Sequence, residues 1–256
     1  MKNMIRMRLI YPLLAFIAMT MATARGQSWV TEYDSLLQRY VTESGVDYQA
    51  WHQSRTDRDA LKSVVTGIGR QTLKTLSNDA KLAFYLNAYN AWILQRILDS
   101  YPTKGPGGGG FIGRTRFFRS KSLQVANRTT SFHLLENEII RPQFSEPRIH
   151  FALNCASRSC PPLHNRAFRA ESLDQTLDDL TRRFINHNPR GIRSSGNDEI
   201  QISKIFDWYE VDFGGADGVI AFINRYRVLP FSPKIRIRHQ DYQWTLNQSK
   251  RKAYTQ

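Results

Sequence analysis

The sequence predicts one α+β domain that is rich in helix and has a small mixed or antiparallel sheet. The first observation behind this prediction is that apolar residues recur at helical spacing through most of the chain before residue 185. The second is that short alternating runs, typical of strands, occur mainly after residue 199. No low-complexity stretch divides residues 25–256, which are numerous enough for one sizeable core. We therefore expect a single domain over residues 25–256.

Residues 1–24 have the three parts of a secretory signal peptide. Lys2, Arg6 and Arg8 are basic, the stretch from Leu9 to Met21 is mostly apolar, and Ala22 to Ala24 fits a cleavage site. The apolar stretch is too short to cross a bilayer, so a retained anchor helix is the less favoured alternative. No later segment is long and apolar enough to do so. We expect a periplasmic or secreted protein with no transmembrane segment after cleavage.

The chain is strongly basic, and this indicates acidic partners. Its formal net charge of +14 falls by the three charges of residues 1–24, to +11. Envelope polymers and anionic lipid headgroups are partners of that kind. The densest basic run surrounds two aromatic residues: Arg114, Arg116, Phe117, Phe118, Arg119 and Lys121. Such interleaving can bind nucleic acid. Because an exported protein rarely meets nucleic acid, we expect a solvated basic face and no nucleic-acid partner.

The first elements are predicted to be two helices with a short extended piece between them. The helix from Trp29 to Val41 has apolar residues at three-four spacing, which indicates one buried stripe. The residues from Val46 to Tyr48 are extended in this prediction. The second helix covers Asp57 to Val65 and ends at Gly67 and Gly69, since glycine favours chain termination.

The strongest helix is predicted from Ser77 to about Ser100, with apolar residues nearly all round it. Within it, Asn87 and Asn90 lie three residues apart and share a face. A buried amide without partners costs about 1–3 kcal/mol, so each must bond to the backbone of a loop or to a ligand. We take Asn87 and Asn90 as candidate substrate-binding residues, with the loop as the alternative.

The glycine-rich stretch from Gly105 to Gly113 is predicted to be a loop and not a nucleotide-binding motif. A phosphate-binding loop needs a Lys-Ser or Lys-Thr pair that opens a helix, and a dinucleotide fingerprint needs a preceding strand. Here a helix precedes the glycines, and Phe111 and Ile112 interrupt them. A mobile lid over a site is the functional alternative.

A helix and a strand are predicted next, and both carry candidate site residues. The helix from Ser131 to Ile140 places Glu136 between apolar neighbours, where burial tunes a carboxylate. The strand from Arg148 to Leu153 has His150 on the face opposite its large apolar residues. The predicted strand ends before Asn154.

The C-terminal part is predicted to contain two helices and three short strands. The helices run from Leu173 to Phe184 and from Gly218 to Tyr226, with a strand from Ile200 to Ile202 between them. The other two strands, around residues 235–237 and 242–246, are joined through His239 to Asp241.

Both cysteines lie in one short segment, and three hypotheses fit them. Cys155 follows a strand end, so it can be a nucleophile whose pKa is lowered by Arg158 or by exposed backbone N–H groups. Alternatively, the even count and an oxidising compartment favour a Cys155–Cys160 disulfide worth about 2 kcal/mol. The third hypothesis is a metal site that adds His150 and His164, but none of the spacings is a tight zinc pair. We expect no metal and no cofactor.

A regular backbone does not bring His150 to Cys155. In a continuous strand the two would lie roughly 16 Å apart on opposite faces. A sharp turn through left-handed backbone at Asn154 would be needed. The base can otherwise be His133, His164 or a residue distant in sequence.

Five motifs, in order, resemble the domain of unknown function 547 family. They are LNAYNAW at Leu86 to Trp92, HLLENEIIRP at His133 to Pro142, RIHFALNCASRSCPPL at Arg148 to Leu163, SKIFDWYEVDF at Ser203 to Phe213 and DYQWTLN at Asp241 to Asn247. The resemblance implies a variant of the papain-like and transglutaminase-like architecture, with thiol-based acyl chemistry. It also implies roles for Cys155, His150 and Glu136. The family often has His where this chain has Asn137, and plant relatives have Ser at the position of Cys160.

Two functional hypotheses follow. In the first, an exported hydrolase or acyl transferase uses Cys155 to attack an acyl or amide group, His150 to take the proton and Glu136 to orient the histidine or to bind the substrate. In the second, the chain is a non-catalytic cell-envelope binding module with a Cys155–Cys160 disulfide. The substrate is unknown, and a peptide or an acidic envelope polymer fits either hypothesis.

Overall fold

A computed structural model describes residues 29–194 and 198–249 of the chain. Helices dominate it, and its strands form small sheets of two or three, which confirms the α+β prediction. The predicted signal peptide lies outside the described residues. Among the helices of the described part, none is both long enough and apolar enough to span a bilayer.

The N-terminal part is a helical layer with one small hairpin. Its elements are α1 (residues 29–40), the antiparallel strands β1 (Val41–Thr42) and β2 (Gly45–Val46), α2 (Tyr48–Gln53) and α3 (Arg55–Arg70). The prediction that α3 ends at Gly67 is wrong. A Cβ on Gly67 would lie 3.0 Å from the Cβ of Trp29, so this glycine lets α1 and α3 pack closely instead of ending the helix.

The central helix α4 (Asn78–Asp99) confirms the strongest prediction. The Ser77 Oγ accepts a hydrogen bond from the Ala80 N–H at 3.2 Å, which satisfies one of the free donors at the helix start. Leu86, Ala88 and Ala91 are fully buried, because α4 is surrounded by the rest of the core. Its buried polar residues must therefore find partners inside the fold.

The glycine-rich loop is shorter than predicted. Residues 106–109 form turns, and α5 (Gly110–Arg119) then begins three residues before Gly113. A Cβ on Gly107 would lie 2.5 Å from the Cβ of Trp244, so only glycine allows the loop to lie against that indole. The antiparallel pair β3 (Leu123–Val125) and β4 (Arg128–Thr130) follows.

The predicted helix before the cysteines is present, and helical backbone continues where the strand was predicted. The helical stretch consists of α6 (Phe132–Leu134), a π-helical turn (Leu135–Ile140), α7 (Arg141–Phe144) and a 3₁₀ helix (Pro147–Phe151). The predicted strand from Arg148 to Leu153 is therefore wrong. The Glu146 side chain accepts from the Arg148 N–H at 3.0 Å, and Pro147 fixes the first turn, so the local contacts favour a helical turn.

The C-terminal part supplies the three-stranded sheet. Its elements are a 3₁₀ turn (Ala170–Ser172), α8 (Leu173–His187), β5 (Ile192–Ser194), β6 (Glu199–Ile202), α9 (Ile205–Trp208), a further 3₁₀ helix (Glu210–Phe213), α10 (Ala216–Tyr226) and β7 (Arg236–His239). Strand β6 is central, antiparallel to β5 and parallel to β7, so the sheet is mixed as predicted. The last predicted strand is absent from the described residues. Leu246 forms an isolated bridge with Ser157, and the backbone carbonyls of Thr245 and Gln243 accept from the N–H groups of Arg158 and Ser159.

Two apolar clusters form the core, and the first 3₁₀ helix joins them. Ile149 packs in the larger cluster around α1, α3 and α4, whereas Phe151 packs in the smaller one with α8, β6 and α10. His150 lies between these two anchors and is buried. Its position is therefore fixed by the packing of both neighbours.

Candidate cysteine site

A cavity of about 180 Å³ brings together residues that are far apart in the sequence. Cys155, His150 and Glu136, the three predicted catalytic residues, all line it. Its other lining residues include aromatic side chains from the C-terminal part: Trp208, Tyr209, Tyr242 and Trp244. Asn87, Asn90 and Arg158, the predicted substrate-binding residues, are not among the residues that line it.

The loop that carries Cys155 is held by two buried asparagines. The Asn154 Oδ1 accepts from the Ala156 N–H at 2.9 Å, and its Nδ2 donates to the Pro161 carbonyl at 2.7 Å. The Asn90 Oδ1 accepts from the Asn154 N–H at 2.9 Å. The left-handed backbone predicted at Asn154 lies instead at Ala156, where φ is 60°. Asn154 therefore shapes the turn through its side chain, and Cys155 is presented on a rigid loop.

Asn87 and Asn90 use their amides within the fold. The Asn87 Nδ2 donates to the Phe168 carbonyl at 2.8 Å, and its Oδ1 accepts from the Phe168 N–H at 2.8 Å. The Asn90 Nδ2 donates to the Ala152 carbonyl at 2.9 Å. This is the alternative in which the amides bond to a loop, and it gives Asn90 a role in positioning Cys155.

Hydrogen bonds hold the pKa of the Cys155 thiol below its ordinary value. Burial by itself raises this pKa, but hydrogen bonds from Cys160, from the Ser157 side chain and backbone and from Tyr242 outweigh it, and the pKa is about 7. The Cys155 Sγ lies 3.0 Å from the Ser157 Oγ and 3.3 Å from the Tyr242 Oη. A large share of Cys155 is therefore thiolate near neutral pH.

Arg158 is not among the groups with the largest effects on the Cys155 pKa. The hydrogen-bond donors that lower the Cys155 pKa are Cys160, Ser157 and Tyr242. Arg158 lies instead near Arg190, whose pKa is lowered first by burial and then by the charge of Arg158. Arg190 itself donates to the Cys160 carbonyl at 3.2 Å, so a guanidinium is bonded to the loop that carries both cysteines.

Cys160 differs sharply from Cys155 although the two share one loop. Both are free thiols in the structure, and the Cys155 N–H donates to the Cys160 Sγ at 2.8 Å. Burial raises the pKa of Cys160 well above its ordinary value, and the hydrogen bond and charge of Cys155 raise it further. Cys160 is therefore the protonated member of the pair.

The imidazole of His150 is oriented by Asp212. The His150 Nε2 lies 2.7 Å from the Asp212 Oδ2, and the Arg141 guanidinium donates to both oxygens of the same carboxylate, at 2.6 and 2.8 Å. The Tyr209 ring stacks on the imidazole with its centroid at 3.9 Å. Burial raises the Asp212 pKa, but hydrogen bonds from His150 and Arg141 outweigh it and hold this pKa well below its ordinary value.

An ionised Asp212 fixes the tautomer of His150. The carboxylate accepts from Nε2–H, so the other nitrogen, Nδ1, carries the free lone pair of a neutral imidazole. Within residues 29–194 and 198–249, no hydrogen bond to this Nδ1 is found. It is therefore available to accept a proton from a group in the cavity.

Glu136 lines the cavity but does not take the predicted role of orienting His150. The Tyr89 hydroxyl donates to the Glu136 Oε2 at 3.3 Å, and Glu136 also bonds to the Tyr209 hydroxyl. Burial raises the pKa of Tyr209, and the charge and hydrogen bond of Glu136 raise it further. Asp212 is the carboxylate on His150, and sequence reasoning missed it although the motif SKIFDWYEVDF contains it.

The other candidate bases and the metal hypothesis find little support in the geometry. His133 lines the cavity, but its Nδ1 lies 3.3 Å from the Asn137 Nδ2. His164 packs against Phe168 and is not among the lining residues, so the predicted metal set does not come together around the cysteines. In the described part of the chain, no group of three or more His, Cys, Asp or Glu residues is placed to hold a metal ion.

Aromatic residues border the thiol side of the cavity. The Trp208 and Trp244 rings stack with centroids 5.7 Å apart, and Tyr242 packs on both indoles at 4.7 Å. The Arg114 guanidinium of α5 lies 4.5 Å from the Trp244 ring. The Tyr242 side chain, whose hydroxyl bonds to Cys155, is therefore held in place by packing against two tryptophans.

One comparison with known proteins identifies a family. Residues 73–185 match the family model described as "Protein of unknown function, DUF547", which confirms the resemblance drawn from the motifs. The matched segment contains Cys155, His150 and Glu136, whereas Asp212 and Tyr242 follow it. Neither the curated proteins nor the solved structures contain a match to the chain.

Proposed function

We propose that this member of the DUF547 family is a cysteine-dependent hydrolase or acyl transferase in which Cys155 is the nucleophile, His150 the base and Asp212 the group that orients the base. One observation carries the proposal. A thiol with a pKa of about 7 and an imidazole bonded to an ionised carboxylate line the same small cavity. This is the arrangement that nucleophilic catalysis by cysteine requires.

The reaction proceeds through a thioester. The Cys155 thiol gives its proton to the His150 Nδ1, and the sulfur attacks the carbonyl carbon of the substrate. The leaving group departs with the proton from His150, so the thioester and a neutral product remain. Water or another acceptor then gives its proton to His150 and attacks the thioester, which releases the acyl group and restores the thiol. Asp212 stabilises the imidazolium in both steps.

The papain-like or transglutaminase-like architecture and the export of the chain are part of this proposal. The set of thiol, imidazole and carboxylate supports the first, and residues 1–24 support the second because they read as a secretory signal. The substrate carries an acyl or amide group. A peptide or an acidic envelope polymer fits the basic chain, whose net charge is +14.

A binding module with a Cys155–Cys160 disulfide is the second candidate. The observation that favours it is the closeness of the two residues, since the Cys160 Sγ lies 2.8 Å from the Cys155 amide nitrogen. Such a disulfide would remove the nucleophile. The redox state of the native protein therefore separates the two candidates.

Alkylation of the native chain tests the proposal. We expect iodoacetamide to modify Cys155 with a pH profile centred near 7 and to leave Cys160 unmodified, as read by intact mass and peptide mapping. With p-nitrophenyl acetate, Cys155 should gain one acetyl group while p-nitrophenol is released in a burst. Two unreactive sulfurs, together with a mass lower by two hydrogen atoms, would contradict the enzyme and support the binding module.

A further inference from the structure

Helix α5 presents two large apolar side chains to solvent. Phe111 is 74% exposed and Ile112 is 80% exposed, and they are neighbours in the first turn of the helix. The other side of the helix is packed, since Phe117 stacks on Phe132 with centroids 5.5 Å apart. Helix α5 is therefore anchored to the core on one side, and Phe111 and Ile112 lie on its exposed side.

The same helix lies in a segment that has no acidic residue. Between Asp99 and Glu136 the chain has six basic residues and no aspartate or glutamate: Lys104, Arg114, Arg116, Arg119, Lys121 and Arg128. Ile112, Arg116 and Arg119 follow one another at helical spacing, so they share a face of α5. Arg116, Arg119 and Lys121 are exposed. The apolar tip of α5, which consists of Phe111 and Ile112, is therefore exposed to solvent together with these cations.

We propose that α5 docks on a bilayer that contains anionic phospholipid. Phe111 and Ile112 enter the region between headgroups and acyl chains, and Arg116, Arg119 and Lys121 lie against the lipid phosphates. An amphipathic helix with basic residues beside an apolar tip binds membranes in this way. Each cation near an anionic surface strengthens binding, and the effect is reduced by salt.

A lipid surface explains the helix better than a soluble acidic polymer does. Cations alone would suffice for a polymer, whereas α5 also presents two adjacent exposed apolar side chains beside its cations, and this combination fits a surface of lipid phosphates and acyl chains. Charge complementarity selects an anionic bilayer over a neutral one.

Docking would bring the membrane close to the cysteine site. The Arg114 guanidinium lies 5.7 Å from the Phe111 ring and 4.5 Å from the Trp244 ring, and Trp244 lines the cavity. The apolar tip of α5 is therefore separated from a cavity residue by a single side chain. The docking itself does not depend on the proposed catalysis.

Hydrogen exchange on the full chain tests the docking. The readout must be local, because the apolar stretch from Leu9 to Met21 can bind bilayers by itself. With vesicles of phosphatidylcholine and phosphatidylglycerol, we expect slower exchange in the peptide that covers Gly110–Arg119 than with phosphatidylcholine alone. Added salt should weaken this protection.

Two variants sharpen the test. In F111S/I112S, we expect the vesicle concentration needed to protect α5 to rise about tenfold or more, because two apolar side chains no longer enter the bilayer. In R116Q/R119Q, we also expect a rise of about tenfold or more. The matched control is V228S/L229S, which replaces a pair that is 82% and 73% exposed in another part of the chain. It should behave like the unchanged protein.

Three outcomes would overturn the proposal. If α5 is protected equally by neutral and by anionic vesicles, its cations do not select anionic lipid. Protection that survives in F111S/I112S removes the insertion argument. Protection by soluble polyphosphate that matches protection by anionic vesicles, and that is unchanged in F111S/I112S, would identify the helix as a polymer-binding surface.

Discussion

The two sides of the cavity hold their reactive groups by different means. On the thiol side, Cys155 is surrounded by neutral donors, the hydroxyls of Ser157 and Tyr242 and the thiol of Cys160. On the imidazole side, His150 bonds to a carboxylate that is itself held by a guanidinium. On the thiol side, hydrogen bonds from neutral groups stabilise the thiolate, whereas on the imidazole side a charged carboxylate fixes the tautomer of His150.

This difference assigns separate tasks to the two sides. Changes on the thiol side should move the pKa of Cys155 and leave the imidazole unaltered. Changes on the imidazole side should alter proton transfer and the pH dependence of folding. A substitution on one side should therefore change the properties that belong to that side.

The largest effect is expected for Cys155→Ser. A serine at this position has no thiolate near neutral pH, so acetyl transfer from p-nitrophenyl acetate should fall at least about a thousandfold. Cys160→Ser is the matched control within the same loop, and it should retain acetylation because Cys160 is the protonated partner. If both variants lose acetylation equally, the assignment of Cys155 as nucleophile fails.

Asp212→Asn should have the next largest effect. An asparagine can donate to Nε2 and so favour the wrong tautomer of His150, and we expect turnover to fall on the order of a hundredfold or more. Glu136→Gln is the control, since its amide oxygen can still accept from the Tyr89 hydroxyl and Glu136 has no hydrogen bond to His150. Turnover should change less than about tenfold there. A larger loss in Glu136→Gln than in Asp212→Asn would restore Glu136 as the orienting group.

The same carboxylate should make the fold sensitive to acid. The pKa of Asp212 is lower in the folded protein than its ordinary value of 3.8, so its contribution to stability is full above that value and is lost as pH falls. We expect this contribution to be on the order of 1 kcal/mol, since the side chain is partly exposed. Urea unfolding over a pH series measures it.

The control for this measurement is the variant itself. The free energy of unfolding of Asp212→Asn should depend less on pH in the acid range than that of the unchanged protein, because the titrating group is gone. An identical pH dependence in both would show that the bonds of Asp212 to His150 and Arg141 contribute nothing to folding.

The sequence predicted the local side of the site better than the distant side. The place of Cys155 just after an apolar run predicts an accessible thiol, and the polar Asn154 at the end of that run predicts a turn. Asp212 is 62 residues from His150, and Tyr242 is 87 residues from Cys155. A pairing over such distances depends on how the two apolar clusters pack against each other, which no periodicity within one segment reveals.

The error over the segment before the cysteines has a different cause. Ile149 and Phe151 alternate with a polar residue, as in a strand, but they face two different apolar clusters. His150 between them is buried as well. The apolar residues recur every second position because they pack in two different directions. A 3₁₀ turn produces this pattern as well as a strand does.

The smallest expected effect belongs to Tyr242→Phe, and it tests the thiol side alone. Loss of the hydroxyl removes one donor to the Cys155 Sγ at 3.3 Å, while the ring can keep its packing on Trp208 and Trp244. A less stabilised thiolate means a higher pKa, so the pH profile of alkylation should move upward from about 7 by roughly half a unit. At slightly acidic pH, alkylation should then be about threefold slower.

Ser157→Ala is a second test of whether hydroxyl groups near the sulfur set the pKa of Cys155. The Ser157 Oγ is the closer hydroxyl, at 3.0 Å from the Cys155 Sγ, and it also donates to the Tyr242 Oη at 3.2 Å, so its removal should raise the Cys155 pKa at least as much as Tyr242→Phe does. The Asp212→Asn variant should leave the alkylation profile near its original position, because its effect falls on His150. A profile that moves with Asp212 and not with Tyr242 would mean that the charge of the imidazole side, and not the neutral donors, sets the reactivity of the thiol.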